Sequence, residues 1–164
     1  MKTILFSLAS IGLLGNVSPA QTEAAPAAAT PALAAVPARL QELNYITDAR
    51  PSADASFYVY LCSASWCGPC RAIMPKVIEQ YPAIKAAGGE IILLCFDSTP
   101  QAGTAYVKKY NAAFPAVMFS AKLGLPGFSA PRGIPNAVFV TPEGKVLNNG
   151  HGSTLLNWKA IIAK

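Results

Sequence analysis

Trp66-Cys67-Gly68-Pro69-Cys70 sets two thiols three positions apart, with a glycine and a proline between them. This spacing serves either a reversible disulfide or half of a zinc site. A zinc site needs a second group of ligands. The other cysteines, Cys62 and Cys95, stand apart, and the only histidine, His151, lies far along the chain. The pattern therefore indicates a redox-active dithiol, with no metal and no bound cofactor.

The Gly-Pro spacer predicts a helix whose first turn begins near Gly68, because proline is well tolerated at that position. Cys67 would then face unpaired N–H groups and the positive end of the helix dipole, which favour a thiolate. We therefore expect the pKa of Cys67 to be lowered and Cys67 to be the nucleophile. Cys70, one turn further along, is expected to be shielded and to attack the mixed disulfide formed at Cys67.

The motif is also that of a known family, because WCGPC is the active-site sequence of thioredoxins. The chain resembles this family at Pro75, where thioredoxins carry the proline that kinks the active-site helix. It also resembles it at Gly133-Ile134-Pro135, which matches the Gly-Ile-cis-Pro loop, and at 136–147, which matches the closing hairpin. The resemblance implies an α/β, thioredoxin-like fold with a central mixed β-sheet and helices on both faces.

The same resemblance implies a set of substrate contacts. Pro135 is expected to follow a cis peptide bond and to pack opposite the dithiol, which leaves the backbone around Ile134 free to pair with an extended peptide. Gly133 and Trp66 complete the predicted substrate-binding residues, and Trp66 shapes the face on which substrate docks. A cis X-Pro bond is uncommon, so this is a specific structural prediction.

Hydrophobic patterns place the other elements in an alternating α/β order. Residues 57–62 form an aromatic and β-branched run that leads into the dithiol motif, as a strand delivering the site at its carboxyl end would. Residues 91–96 are continuously apolar, which indicates a central strand covered on both faces. Thr99 is predicted to cap a helix with Pro100 in its first turn, and Ser153 to cap the last helix.

The connection that precedes the cis-proline loop, residues 111–132, is longer than in a minimal thioredoxin. In this respect the chain resembles the secreted and membrane-tethered cytochrome-maturation reductases of bacteria, and also the tryparedoxin and nucleoredoxin group. The Gly-Pro spacer differs from the Pro-Pro that is typical of tryparedoxins. The resemblance therefore defines the superfamily more closely than the subfamily.

The N-terminal region reads as a targeting segment followed by a tether. Residues 1–20 have a basic residue near the start, a short apolar run and small residues before a predicted cleavage after Ala20, as in a secretory signal peptide. Residues 21–38 are nearly all alanine and proline, which predicts a disordered linker. The thioredoxin-like domain is predicted to span 39–164, and the signal indicates export to the periplasm or the exterior.

The charge pattern gives little support for nucleic-acid binding. The formal net charge is +5, but the basic residues are scattered and Lys108-Lys109 is the only adjacent pair. Nucleic-acid-binding domains usually gather such residues into a patch. We therefore expect protein partners and no nucleic acid, and we expect the chain to be a monomer.

One departure from the thioredoxin pattern affects the expected mechanism. Leu61 stands where thioredoxins carry the buried aspartate that helps to deprotonate the resolving cysteine, and the neighbouring strand lacks the lysine that pairs with it. A water, Tyr58, Tyr60 or Glu79 remain as possible proton acceptors for Cys70. Because the attacking species must be a thiolate, we predict slower release of the mixed disulfide than in an ordinary thioredoxin.

The other chemically notable residues have ordinary structural readings. Cys62 and Cys95 are predicted to be buried free thiols in core strands, although a second, regulatory disulfide between them is the alternative. His151 is predicted to be a solvated loop residue without a catalytic role. Arg71 directly follows the dithiol and could add to thiolate stabilisation, after the helix terminus itself.

These observations favour a thiol-disulfide oxidoreductase that acts on disulfide-containing proteins outside the cytoplasm. The Gly-Pro spacer and Ile134 resemble reducing thioredoxins, so we expect a reductase recharged by a membrane electron donor. An oxidising or isomerising catalyst stays open. A thiol-dependent peroxidase is a further alternative, although peroxidases of this fold normally carry the peroxidatic cysteine outside such a motif. A non-catalytic binding module is disfavoured because Cys67 and Cys70 are both retained.

Overall fold

The computed structural model describes residues 35–163. The predicted signal peptide and the linker up to residue 34 lie outside the described residues. Helix α1, Ala35–Gln41, begins four positions before the predicted start of the domain at residue 39. Its side chains Val36 and Leu40 are both fully buried, and the N–H of Val36 donates to the carbonyl of Pro142 at 2.8 Å. The alanine and proline content of residues 35–38 places them in the predicted disordered linker, but they form the first turn of α1, so the ordered structure starts earlier than composition predicts.

The described residues alternate strands and helices around one five-stranded sheet. Strand order is β3-β2-β1-β4-β5, with β1, β2 and β3 parallel and β4 and β5 antiparallel to their neighbours. This confirms the predicted mixed sheet. After α1 the elements are β1 Phe57–Ser63, α2 Gly68–Ala86, β2 Gly89–Cys95, α3 Pro100–Lys109, β3 Ala116–Met118, β4 Asn136–Val140, β5 Val146–His151, a 3₁₀ segment Gly152–Asn157 and α4 Trp158–Ile162.

Alternation of side chains along β1 divides the core between the two faces of the sheet. Val59 and Leu61 point to the face covered by α2, α3 and α4, whereas Tyr58 and Tyr60 point to the face covered by α1 and the connection at 119–134. Helices α2 and α3 share a face because β1-α2-β2 and β2-α3-β3 are right-handed crossovers that step in the same direction across the sheet. Helices therefore cover both faces, as predicted.

The long connection before the cis-proline loop adds a parallel edge strand, β3, to the thioredoxin-like sheet. Beyond β3 the chain returns over the sheet as turns that carry Phe119 and Phe128, whose ring centroids lie 6.1 Å apart. The Tyr60 hydroxyl donates to the carbonyl of Pro126 at 3.2 Å and holds this segment to the core. The extra length therefore covers the sheet next to the dithiol.

The C-terminal elements differ from the sequence prediction. Ser153 does not cap the last helix; instead, His151 precedes a 3₁₀ segment and its Nδ1 accepts the N–H of Ser153 at 3.2 Å. His151 is exposed but ends strand β5, so it is not a loop residue. Leu155 and Trp158 are buried against the core. The second half of β5, Asn148-Asn149-Gly150-His151, carries no strand signal because asparagine and glycine are uncommon in strands.

Within the described part of the chain, no helix has the length and apolar character needed to cross a membrane.

Candidate functional site

The dithiol lies where β1 delivers the chain to the first turn of α2. The helix begins at Gly68 with Cys67 as its N-cap, which confirms the start predicted from the Gly-Pro spacer. Cys67 has extended backbone angles, φ −81° and ψ 108°, and its Sγ accepts the N–H of Cys70 at 3.2 Å. The two cysteines form a disulfide. Cys67 retains 5% exposure while Cys70 has none, so the two cysteines differ in access.

The predicted substrate loop lies directly against this disulfide. The Ile134–Pro135 peptide bond is cis, which confirms the prediction, and the carbonyl oxygen of Ile134 lies 3.7 Å from Cys67 Sγ. Pro135 is buried, whereas Gly133 is exposed and a Cβ at Gly133 would have open space around it. The loop thus offers backbone groups beside the reactive sulfur.

Trp66 is the most exposed large hydrophobic side chain in the described residues, at 63%. Its indole N–H donates to the carbonyl of Phe96 at 3.3 Å, which orients the ring beside the dithiol. All four predicted substrate-binding residues therefore border one surface around Cys67.

Gly152 is a site residue that the sequence did not reveal. A Cβ there would lie 2.6 Å from the Cβ of Pro135 and 2.8 Å from Cδ1 of Ile73, closer than atoms can pack. Its N–H donates to the carbonyl of Pro135 at 2.9 Å. Gly152 thus lets the cis-proline loop approach the active-site helix. In the sequence, the only sign of this contact is the glycine itself, because Gly152 and Ile73 belong to segments that are far apart along the chain.

Asp97 is a second residue that sequence reasoning missed. It is 8% exposed, and its carboxylate accepts hydrogen bonds from both the N–H and the hydroxyl of Ser65. The Cys95 thiol donates to the same carboxylate at 3.0 Å. Ser65 directly precedes Trp66, so Asp97 anchors the loop that leads into the dithiol. The sequence did offer a signal for this role. Asp97 comes just after β2, which is buried and parallel to β1, so the carboxyl ends of both strands meet at the edge of the sheet where the dithiol lies.

The two tyrosines considered as proton acceptors for Cys70 are engaged elsewhere. The hydroxyl of Tyr58 donates to the carbonyl of Ser52 at 2.8 Å, and that of Tyr60 donates to Pro126. Both rings belong to the cluster on the opposite face from α2. The structure does not bring either hydroxyl to Cys70.

Glu79 is equally remote from the resolving cysteine. It is exposed on α2 nine positions after Cys70, which corresponds to about 14 Å along a helix axis. Leu61 is buried, as its position in β1 requires. The hydrophobic residues that cluster with the two cysteines are Ala64, Phe96 and Ile134. The side-chain candidates for a base are therefore wrong, and only the water among the predicted acceptors remains.

Cys62 and Cys95 are buried free thiols, which confirms the favoured prediction. Cys62 pairs in register with Leu94, and Cys95 follows Leu94, so the two thiols point to opposite faces of the sheet and cannot join. Burial raises the pKa of Cys62 from 9.0 to about 12. Burial, and then the hydrogen bond to Asp97, raise the pKa of Cys95 to about 12 as well.

These raised pKa values predict selective alkylation. At pH 8 only about one in 10,000 of either buried thiol would be a thiolate, so the reduced native protein should react with iodoacetamide at Cys67 and not at Cys62 or Cys95. Mass spectrometry of the alkylated peptides measures the labelling of each cysteine. Labelling of Cys62 or Cys95 in the native protein at the rate seen in urea would contradict the prediction.

The same raised pKa values make the stability of the protein depend on pH. Because the folded-state pKa values of Cys62 and Cys95 lie above those of the unfolded chain, their contribution to the free energy of unfolding is complete below about pH 9 and is lost as pH rises toward 12.

Among residues 35–163, no three histidine, cysteine, aspartate or glutamate side chains are grouped closely enough to hold a metal ion.

Three features together define a thioredoxin-fold protein with a redox disulfide. They are the five-stranded mixed sheet, the dithiol at the start of α2 and the cis-proline loop. Residues 56–146 match a family model described as thioredoxin-like. The chain therefore belongs to the thioredoxin-like family, as its motifs predicted.

Named relatives within this superfamily include redox enzymes. The chain is 34% identical over 93 residues to probable nucleoredoxin 1 of Arabidopsis thaliana, covering 55% of this chain and 16% of that protein. It is 35% identical over 83 residues to the thiol-disulfide oxidoreductase ResA of Bacillus cereus, covering 51% of this chain and 47% of that protein. The chain thus spans less than half the length of both relatives.

Among solved structures, a putative thiol:disulfide interchange protein DsbE from Chlorobium tepidum superimposes with a TM-score of 0.56 at 24% identity. The match covers 67% of this chain and 79% of that one. At this identity the likeness establishes the shared fold.

Proposed function

We propose that this protein is a thiol-disulfide oxidoreductase that reduces disulfides in other proteins, with Cys67 as nucleophile and Cys70 as the resolving thiol. The observation that carries the proposal is the asymmetry of the pair. Cys67 caps the helix, keeps some exposure and lies 3.7 Å from the Ile134 carbonyl, while Cys70 is wholly buried behind it. Only Cys67 can meet a substrate first.

The reaction follows from this arrangement. In the reduced protein, the Cys67 thiolate is stabilised by the N–H groups of the first helical turn. It attacks a substrate disulfide, so that a mixed disulfide forms, the substrate S–S bond breaks and the leaving sulfur takes up a proton. Cys70, as a thiolate, then attacks Cys67 Sγ and releases the second substrate sulfur, which is also protonated. Two electrons and two protons pass to the substrate, and an external dithiol reductant must restore the pair.

The substrate peptide is proposed to lie along the cis-proline loop. Extended peptides can add to exposed backbone groups, which supply affinity with little dependence on sequence. Gly133 leaves space above the loop, Ile134 offers its carbonyl beside Cys67, and Pro135 holds the loop in place. Trp66 provides an exposed apolar wall.

The reducing direction and the location are parts of the same proposal. The Gly-Pro spacer and Ile134 support reduction by resemblance to thioredoxins, and the signal-like residues 1–20 support export. An exported reductase needs electrons from the cytosol, so a membrane electron donor is proposed as its partner. The protein is proposed to act as a monomer, since one chain supplies both thiols and the cis-proline loop.

The reduction potential of the Cys67/Cys70 pair tests the direction. Equilibration with dithiothreitol or glutathione buffers, read out by thiol alkylation, should give a value near that of thioredoxin, about −270 mV, because both share the Gly-Pro spacer. The reduced protein should also reduce insulin disulfides. A potential above about −150 mV would overturn the reductase assignment, and failure to reduce insulin or any peptide disulfide would overturn the activity.

The absence of a carboxylate at Leu61 predicts slow resolution. Release of substrate from a preformed mixed disulfide on Cys67 should accelerate about tenfold per pH unit near neutrality, because Cys70 must lose its proton without a neighbouring base. Stopped-flow measurement of release between pH 6 and 9 gives the profile. Leu61→Asp should accelerate release at pH 7, while Leu61→Asn, the matched uncharged change, should not. A pH-independent release rate would contradict the prediction.

A further inference from the structure

A cleft of about 230 Å³ opens between α2 and α3 at the end of the molecule that carries the dithiol. Ser65, from the loop that leads into the active site, lines it together with two basic side chains, Arg71 from α2 and Lys109 from α3. The remaining lining residues are Ala102, Ala105 and Tyr106. The small alanine side chains leave the space between the two cations open.

The cleft is joined to the reactive disulfide by the chain itself. Arg71 directly follows Cys70, and its N–H donates to the carbonyl of Cys67 at 3.1 Å. Ser65 stands two residues before Cys67 and is fixed by Asp97. A ligand group in the cleft would therefore sit beside a substrate attached to Cys67.

Neither cation has a carboxylate partner in the described structure. The ion pairs within residues 35–163 are Arg39 with Glu42 and Lys85 with Glu90, both remote from the dithiol. Lys109 instead lies 5.7 Å from the ring centroid of Tyr110, which leaves its ammonium group exposed on one side.

The carboxylate of Asp97, which contacts the cleft residue Ser65, is already fully hydrogen-bonded. Asp97 accepts the N–H and hydroxyl of Ser65 and the thiol of Cys95, and it is 8% exposed. Its charge offsets part of the positive field, but its oxygens are not available to Arg71 or Lys109. The cleft therefore presents an excess of positive charge and unused donors to solvent.

We propose that Arg71 and Lys109 bind a carboxylate of the protein substrate, so that the protein prefers disulfides with an aspartate or glutamate close to the attacked cysteine. This rests on the proposed oxidoreductase function and names its substrate class. The guanidinium of Arg71 is suited to paired hydrogen bonds with a carboxylate, and Lys109 adds a point charge. Arg71 lies four positions after Cys67 on α2, about 6 Å along the helix axis, and an extended peptide spans about 3.3 Å per residue, so an acid two or three residues from the attacked cysteine is in range.

Three synthetic peptide disulfides test the proposal. They share one sequence and carry Glu, Gln or Lys two residues from the reactive cysteine. The reduced full chain should react with the Glu peptide about threefold to tenfold faster than with the Gln peptide, the range for one or two solvent-screened ion pairs, and more slowly still with the Lys peptide. Stopped-flow rate constants give the comparison. The preference should shrink in high salt, because exposed charges are screened.

Variants locate the preference. Lys109→Gln and Arg71→Gln should each lower the Glu-to-Gln rate ratio, and the ratio cancels any change in the intrinsic reactivity of Cys67. Lys108→Gln is the matched control, because Lys108 is the adjacent cation on α3 but lines a different cleft, with Asp48 and Thr47. It should keep the wild-type ratio. Lys109→Arg should keep most of it, since the charge remains.

The outcomes separate the two proposals. Equal rates for all three peptides would overturn the carboxylate site and leave the oxidoreductase function standing. An equal loss of preference in Lys108→Gln and Lys109→Gln would also overturn it, because the effect would then come from overall charge. If no peptide reacts although thiol titration shows a reduced dithiol, the oxidoreductase function fails and the substrate preference fails with it.

Discussion

Replacing Cys67 with serine is expected to abolish disulfide reduction, whereas Cys70→Ser is expected to give a protein that attacks once and stays attached to its substrate. The reason is the unequal access of the two cysteines, 5% exposure for Cys67 and none for Cys70. Without Cys67 no exposed thiolate begins the exchange. Without Cys70 nothing attacks the mixed disulfide from within the protein, so it persists. Turnover should fall by about a thousandfold or more in both variants, since the missing group forms or breaks the reacting bond.

The measurement is non-reducing electrophoresis with mass spectrometry after incubation with a disulfide-bearing protein. Cys70→Ser should accumulate a covalent adduct at Cys67 that dithiothreitol removes. Cys62→Ser is the matched control, because it removes a buried thiol that lies outside the redox pair and should leave turnover unchanged. Adducts that form equally well on Cys70 in the Cys67→Ser protein would reverse the assigned roles.

Gly152→Ala is expected to impair both stability and substrate reduction. The added Cβ would approach Pro135 to 2.6 Å and Ile73 to 2.8 Å, so either the cis-proline loop or the active-site helix must move. Overpacking of this kind costs about 1–3 kcal/mol in the free energy of unfolding. A displacement of the loop by about 1 Å from the dithiol would lower turnover about a hundredfold, because the substrate backbone no longer meets Cys67 in the reactive geometry.

Urea denaturation and peptide-disulfide reduction provide the two readouts for this variant. Gly150→Ala is a suitable control on β5, two residues before Gly152, because its Cβ would come no closer than 3.2 Å to Thr154 and 3.5 Å to Asn148, and would not contact Pro135. It should have a much smaller effect on turnover. Wild-type turnover in Gly152→Ala would show that the contact with Pro135 does not position the substrate loop.

The sequence predicted those features that depend on local chemistry or on a continuous motif. The Gly-Pro spacer alone is sufficient to place the start of α2 at Gly68, because proline fits the first turn of a helix. The apolar runs predict β1 and β2 since a strand buried on both faces needs no polar alternation. Thr99 caps α3 as predicted, accepting the N–H of Ala102. The cis bond before Pro135 was predictable only through the family resemblance.

The features that the sequence did not predict are made by contacts between distant segments. Asp97 and Ser65 are separated by 32 residues, and only the parallel pairing of β1 with β2 brings them together. Gly152 meets Pro135 because β5 pairs with β4. The error at Ser153 has a local cause, since the histidine ring nitrogen of His151 replaces a hydroxyl as the cap. Hydrophobic periodicity predicts single helices and strands, and it does not predict which distant segments come into contact.

The placement of Cys62 and Cys95 on opposite faces of the sheet sets the electron capacity of each chain. The protein has four cysteines, of which Cys67 and Cys70 are joined while Cys62 and Cys95 are free and buried. Each folded chain therefore carries one redox disulfide and can exchange a single pair of electrons through it. In the proposed reductive cycle, the oxidised protein must receive two electrons from an outside dithiol before it can act again, so the supply of reductant would limit the rate of sustained turnover.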